Sequence, residues 1–161
     1  MESKIVELLN QSIALELNAA KMYMLFSTKF PEEHAFWWEL SMEEENHASL
    51  LRSGRDFFLS QDLFPEEILC NKVSILEATN VKLEEVYGQC QKDNLTINDA
   101  ANIALWIETS AGEYHFQTAM SKNADDKMLD IFQTLNNDDK DHALRVKVFM
   151  RKRGIEEKKL F

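Results

Sequence analysis

Glycine and proline are scarce in this sequence, with four Gly and two Pro among 161 residues. So few turn-forming residues exclude a turn-rich β fold and favour long uninterrupted helices. Cysteine is equally rare, because Cys70 and Cys90 are the only two and lie far apart. Neither belongs to a Cys-x-x-Cys pair, which excludes a thiolate zinc or iron site, and we expect both to be reduced.

A long hydrophobic run is also missing, since no stretch reaches the roughly 20 apolar residues needed to span a membrane. The N-terminal MESKIVELL is amphipathic and acidic, unlike a signal peptide, so we expect a cytoplasmic protein. The net charge of -10 disfavours nucleic acids and anionic membranes as partners and is compatible with binding cations. With 45% hydrophobic residues, the chain is expected to fold as one domain over residues 1–161.

Apolar residues recur with helical spacing, and no segment alternates with a period of two. The pattern predicts four long helices, over residues 3–29, residues 32–59, from Thr96 to Met120, and from the turn at residues 121–126 to Arg153. Residues 60–97 form a long crossover that contains a shorter helix over residues 75–91. The predicted fold is therefore all-α, a four-helix bundle with one long crossover.

Three segments carry more local expectations. Thr96 and Asp99 have the spacing of a weak capping box, and Gly154 is expected at the C-terminal end of the last helix. We expect the tail, residues 155–161, either to fray or to dock at an interface.

Acidic residues and histidines recur at matching positions in the two halves of the chain. Each predicted long helix carries part of the set: Glu16 on the first, Glu44 and His47 on the second, Glu108 on the third, and Asp139 and His142 on the fourth. A spacing of three residues places the acid and the histidine of a pair on one helix face. The second half of the chain therefore repeats the residue types of the first half, an acidic residue on one helix and an acid-x-x-His pair on the next.

The acidic residues of this set lie on apolar helix faces, where ionised carboxylates are strongly unfavourable unless they are paired or bind a metal. Four such carboxylates facing one core would repel one another. Two divalent ions would balance four negative charges, and the two imidazoles would complete the ligand shell. Di-metal bundles use one Glu from each of two helices and Glu-x-x-His from each of the other two, a pattern met here with Asp139 in place of one Glu.

The chain resembles the rubrerythrin-like branch of the ferritin-like superfamily. The segments that carry the resemblance are ALELNAAKMY (14–23), LSMEEENHASLL (40–51), ALWIETSAGEYH (104–115) and FQTLNNDDKDHALRV (132–146). The resemblance implies a ferritin-like bundle in which the six residues bind two iron ions, with manganese or zinc as alternatives. Such di-iron centres react with dioxygen or peroxide and cycle between ferrous and ferric states.

The sequence departs from the family pattern at two site positions. Asp139 stands where the family has Glu and reaches about 1.5 Å less far, so Asp138 is a rival ligand. His115 stands where the family often has Tyr, and it is a seventh ligand, a proton donor or a hydrogen-bonded core residue. Tyr23 is a hydrogen-bond donor behind the ligands, a redox-active phenol or a core residue.

The leading functional expectation is a di-iron oxidoreductase that reduces peroxide or dioxygen as Fe(II) is oxidised. Rubrerythrins proper carry a C-terminal rubredoxin domain, and this sequence lacks the cysteines for one, so we expect a separate electron-donor protein. We also expect a homodimer. The alternatives are iron storage or handling, and a binding module whose metal site has degenerated.

Overall fold

The computed structural model describes residues 2–92, 94–121, 127–135 and 141–161, and every regular element among them is helical. The expected all-α class is thus confirmed. The α-helices are α1 (Glu2–Lys29), α2 (His34–Phe57), α3 (Val73–Lys92), α4 (Ile97–Glu108), α5 (Ala111–Ser121), α6 (Lys127–Leu135) and α7 (His142–Arg153). Short 3-10 turns occupy Pro31–Glu33, Leu59–Gln61 and Glu66–Ile68.

The first two helices form the predicted hairpin. Pro31 opens the 3-10 turn between α1 and α2, where its fixed φ and missing N–H are tolerated. The two helices pack along their length, and Ser41 donates a hydrogen bond to the carbonyl oxygen of Ala20 at 2.8 Å. This hairpin aligns the buried faces of α1 and α2, which carry half of the predicted ligands.

The crossover helix α3 is longer than predicted and packs along α1. Asn80, only 7% exposed, donates to the carbonyl oxygen of Gln11 at 2.9 Å and accepts from Asn18 at 3.1 Å. Because a buried amide is costly unless it is satisfied, these bonds fix the register of the two helices. The crossover is thus part of the packed bundle.

The third long helix is not continuous, and here the expectation from the sequence was wrong. It is broken at Thr109 and Ser110 into α4 and α5. The Thr109 hydroxyl donates back to the carbonyl oxygen of Leu105 at 2.7 Å, a local bond that favours helix bending. A Cβ on Gly112 would lie 2.3 Å from Leu15 Cδ2, so the absence of a side chain lets α5 start close against α1.

The expected start of α4 and the expected end of α7 are confirmed. Thr96 and Asp99 form a reciprocal capping box at the start of α4. Gly154 ends α7 with φ of 65°, a left-handed conformation that glycine adopts without strain. The fourth predicted helix was wrong as a single helix, because α7 begins anew at His142, with Asp141 as a non-helical N-cap that accepts from the backbone N–H of Leu144. Residues 122–126 and 136–140 lie outside the described part.

The C-terminal tail docks onto α4. The backbone N–H of Lys158 donates to Asn102 Oδ1 at 2.6 Å, and Asn102 donates to the carbonyl oxygen of Glu156 at 3.2 Å. The Phe161 ring lies 5.0 Å from the Trp106 ring, edge to face. The tail therefore does not fray, and it packs on a helix of its own chain.

Cys70 and Cys90 are both buried, and no disulfide joins them, as expected. Across the described helices, none is long and apolar enough to cross a membrane.

Candidate metal centre

The structure brings five of the six predicted ligands together in the core. All five are at most 2% exposed, and they come from four different helices: Glu16 from α1, Glu44 and His47 from α2, Glu108 from α4 and His142 from α7. Glu44 and His47 share one face of α2 because they are three residues apart. Helices that are distant in sequence thus converge on one buried polar cluster.

The first of two ligand groups contains Glu16, Glu44 and His47. The Nδ1 atom of His47 lies 3.0 Å from Glu44 Oε2 and 3.3 Å from Glu16 Oε2. The potential ligand atoms of this group all lie within 4.8 Å of one another. Two carboxylates and an imidazole at this separation could hold one metal ion.

The second group contains Glu44, Glu108 and His142. The Nδ1 atom of His142 lies 2.8 Å from Glu44 Oε1 and 3.6 Å from Glu108 Oε2. Glu44 therefore belongs to both groups and turns one oxygen to each. The two imidazole rings stand 5.4 Å apart and nearly parallel, at 20°. This is the arrangement of a carboxylate that bridges two adjacent ions.

Burial and charge perturb the titration of the first group in opposite directions. Burial raises the pKa of Glu16 to about 8, against the favourable contact with His47. For His47, burial alone would lower the pKa, but hydrogen bonds to Glu16 and Glu44 and their charges raise it to about 10. Protons thus supply the positive charge that these carboxylates require when no metal ion is bound.

The same balance holds in the second group. Burial would raise the pKa of Glu44, but the charges of His142 and His47 and their hydrogen bonds hold it well below its usual range. Burial, followed by the charge of Glu44, raises the pKa of Glu108. The bridging carboxylate is therefore the most strongly ionised member of the cluster.

Tyr23 lies directly behind Glu108. Its phenol oxygen donates a hydrogen bond to Glu108 Oε1 at 2.5 Å, while Gln117 donates to Glu108 Oε2 at 3.0 Å. The Tyr23 ring is fully buried and stacks on Trp37 with centroids 6.1 Å apart. Burial, together with the charges of Glu108 and Glu44, raises the pKa of Tyr23, so the phenol keeps its proton.

Glu113 is a buried acid near the cluster that the sequence reasoning missed. Its side chain is fully buried, and no described residue hydrogen-bonds either carboxylate oxygen. Burial, followed by the charges of Glu16, Glu44 and Glu108, raises its pKa well above the usual range. In a continuous helix, residues five apart point about 140° away from each other. Because the helix breaks after Glu108, Glu108 and Glu113 need not point in different directions. The charges of Glu16, Glu44 and Glu108 therefore act on the Glu113 carboxylate.

Glu43 and Arg145 also border the site without having been singled out. Glu43 Oε2 lies 2.8 Å from Nε2 of His142, and Arg145 forms an ion pair with the same oxygen. Burial would raise the pKa of Glu43, but the contacts with His142 and Arg145 lower it. The only signal in the sequence was the position of Glu43 next to Glu44.

Three residues considered at the site are not tested by the structure. Asp139 and its rival Asp138 lie outside the described residues. His115 belongs to α5, but its side chain also falls outside the described part. Their roles, like those of the other candidate ligands and of Tyr23, stay predictions.

The fold and the cluster define a class of protein, a helical bundle in which two carboxylate–histidine groups share one bridging carboxylate and could hold a metal pair. The family model for rubrerythrin matches residues 7–150, and the chain belongs to this ferritin-like di-iron family. No curated protein and no solved structure shows significant similarity to it. Membership of the family implies that the protein binds iron.

Proposed function

We propose that the protein is a non-haem di-iron oxidoreductase that reduces peroxide or dioxygen as Fe(II) is oxidised. The observation that carries this proposal is the position of the Glu44 carboxylate. Its two oxygens contact the histidines of two separate groups, at 3.0 Å and 2.8 Å. A single structural ion would not need a carboxylate shared in this way. The donor set also fits iron, since carboxylates and imidazoles suit Fe(II) and leave room for a small oxidant.

One ion would be held by Glu16 and His47, the second by Glu108 and His142, with Glu44 between them. Asp139 and Glu113 are the proposed remaining ligands. Glu113 supports the fit because a buried carboxylate without a described hydrogen-bond donor is costly unless a cation compensates it. When bound, the iron pair would supply one electron per ion for the cleavage of an O–O bond.

The residues of this chain exclude water from the site, supply negative charge and hold a proton. The candidate ligands that the structure describes are nearly inaccessible to solvent, which strengthens electrostatic interactions and excludes bulk water. Tyr23 holds its proton at the phenol oxygen, directed at Glu108, where it stabilises negative charge on that carboxylate. We also propose a separate electron-donor protein, a homodimer and a cytoplasmic location, and we propose His115 as a catalytic residue in addition to Tyr23.

The experiment is a metal titration followed by oxidation. Protein loaded with Fe(II) under argon should bind about two irons per chain, and added peroxide should be consumed at about one equivalent per iron pair. A near-ultraviolet absorption band should appear in the same step. Glu44→Ala should lose metal and keep its helical circular dichroism, whereas Glu45→Ala, an exposed neighbour on the same helix, should behave as wild type.

Absence of iron uptake by the wild-type protein would contradict the proposal and favour a binding module. Iron uptake without peroxide consumption would favour handling or storage of iron. Size-exclusion chromatography separates these readings further, because a storage shell elutes as a very large particle.

A further inference from the structure

The last helix, α7, is strongly basic, although the chain as a whole is acidic. It contains no Asp or Glu, in a sequence with a net charge of -10, and its cations are Arg145, Lys147, Arg151, Lys152 and Arg153. The helix dipole favours cations in the last turn, which accounts for the final three. Arg145 and Lys147 precede that turn, so the dipole does not explain them.

Three of these cations share the outer face of α7 with two apolar side chains. The members of this set recur at spacings of three and four residues, and they are Leu144, Lys147, Val148, Arg151 and Lys152, together called the α7 face. Leu144 is 54% exposed, Val148 is half-buried, and the three cations are exposed. None of the three cations forms an ion pair with a described residue, so their charge is available to a partner.

A groove of about 380 Å³ lies between the α7 face and α2, and aromatic rings line it. Phe36 and Phe149 both border this groove, where their rings stack at 4.3 Å and 11°. Both rings contact Trp37. Trp37 in turn stacks on Tyr23, which donates its hydrogen bond to Glu108. A series of aromatic rings thus connects the groove to a candidate metal ligand.

We propose that the α7 face and its groove form the docking site of the electron donor, and that this donor is a small acidic one-electron carrier protein. The inference rests on the proposed function, which requires such a donor. Reduction of one peroxide to two waters takes two electrons and two protons, so two reduced carriers dock in turn and each leaves oxidised by one electron. His142 lies on the buried side of the same helix, so a docked carrier is separated from a candidate ligand by about 10 Å, one helix diameter.

Charge favours this occupant over the others that a basic and partly apolar face could bind. In a twofold dimer built on the α7 face, the face would meet itself and place like charges opposite one another. Nucleic acids and anionic membranes extend beyond one helix and would be repelled by the rest of this acidic chain. A small acidic protein meets the basic face alone. Complementary charge also speeds association, which suits a donor that must dock and leave in every cycle.

Binding of a carrier to the metal-free protein tests the face independently of iron. We use a plant-type ferredoxin as the acidic carrier. When oxidised ferredoxin is added at low salt, amide signals of the nitrogen-15-labelled protein should shift along α7. The α7 triple variant, Lys147→Glu/Arg151→Glu/Lys152→Glu, should bind about 10- to 100-fold more weakly. This difference should shrink at about 0.5 M salt, because exposed charges are then screened.

Two further variants control for net charge and for damage to the helix. Lys4→Glu/Lys72→Glu/Lys92→Glu makes the same change in net charge at exposed positions outside α7, and it should bind ferredoxin nearly as wild type does. Lys147→Glu alone precedes the last turn of α7 and leaves the cations there in place, so it should keep its helical circular dichroism. It should still show a smaller loss of binding than the triple variant.

Iron-loaded protein gives the functional readout. After oxidation by peroxide, reduced ferredoxin should re-reduce the wild type and the control triple variant at similar rates. The α7 triple variant should be re-reduced about 10- to 100-fold more slowly. Reduced methyl viologen, a small molecule that needs no protein docking face, should reduce all of them at similar rates.

Several results would overturn the inference. One is a wild type that does not bind ferredoxin, and another is an α7 triple variant that binds as wild type does. Equal losses in both triple variants would assign the effect to net charge, and phosphatidylserine vesicles that retain the wild type but not the α7 variant would make the face a membrane contact. Wild-type protein that takes up no iron would refute the proposed function and this inference with it. Iron-loaded variants that all consume peroxide and accept electrons from ferredoxin equally would refute the docking site alone.

Discussion

Replacing Glu16 by Gln should stabilise the metal-free protein while it removes a metal ligand. The pKa of Glu16 is about 8 in the folded protein, against 4.5 as its model value. At pH 7 the folded state must therefore keep a proton that the unfolded state has released. Each pKa unit corresponds to about 1.4 kcal/mol, so over the interval from 4.5 to 7 this proton uptake costs about 3 kcal/mol.

Gln has the same shape and no such cost, and its amide oxygen can still accept a hydrogen bond from His47. Because the buried amide adds an NH2 group that must find hydrogen-bond acceptors, part of this gain is offset, and we expect a net gain of about 1–3 kcal/mol at pH 7. For a domain of this size, the melting temperature should rise by about 2–4 °C for each kcal/mol. Thermal melts of metal-free protein, followed by circular dichroism, measure the gain.

The sign of the pH dependence follows from the direction of the shift. Since folding raises the pKa of Glu16, the folded state binds more protons between pH 4.5 and about 8, and this group lowers stability progressively as pH rises through that window. The advantage of Glu16→Gln should therefore nearly vanish at pH 5 and be largest above pH 8. With metal at about 1,000 times its Kd the order should reverse, because such binding stabilises the wild type by about 4.1 kcal/mol.

The reasoning would be refuted if metal-free Glu16→Gln melted below the wild type at pH 7, or if its advantage did not depend on pH. Glu45→Gln is the control for the loss of a negative charge on an exposed helix face, where changes stay within about 0.5 kcal/mol. Parallel melts of the two variants distinguish the effect of removing a buried acid from the effect of changing the net charge.

Three further substitutions test other parts of the structure. Tyr23→Phe removes the hydrogen-bond donor to Glu108, and we expect iron uptake to persist while peroxide consumption slows. An unchanged rate of peroxide consumption in stopped-flow measurements would mean that Tyr23 serves only as a core residue. Gly112→Ala forces a Cβ to within 2.3 Å of a leucine side chain, so it should lower the free energy of unfolding by about 1–3 kcal/mol in urea titrations, and a neutral result would contradict the close packing of α5. Thr96→Ala removes a capping box and should lower the free energy of unfolding by about 1 kcal/mol in the same titrations. An unchanged free energy would indicate that packing alone fixes the start of α4.

Local rules account for much of what the sequence predicted. The spacing of Glu44 and His47 determines that they share a helix face in any fold that keeps α2, and the Thr96 cap depends on residues three apart. The burial of Glu16 and Glu108 followed from the apolar faces on which they lie. These features need only the helical repeat and the position of polar residues within it.

What the sequence could not supply depends on contacts between distant segments. The apolar pattern continues through Thr109 and Ser110, so periodicity gives no sign of the break, which accompanies the close approach of Gly112 to Leu15 and Leu76. The position of Glu113 follows from that break. The contact of Glu43 with His142 likewise depends on how α7 packs against α2, which no local sequence pattern specifies.

The missed residue Glu113 changes the charge argument that first indicated a metal pair. That argument counted four buried carboxylates and included Asp139, whose short side chain made it the least secure member. Among the described residues, the fully buried acids are Glu16, Glu44, Glu108 and Glu113, which already number four. Two divalent ions would balance these four charges without Asp139. A shorter acid on the fourth predicted helix is therefore compatible with a complete site, because the break in the third has brought another carboxylate into the core.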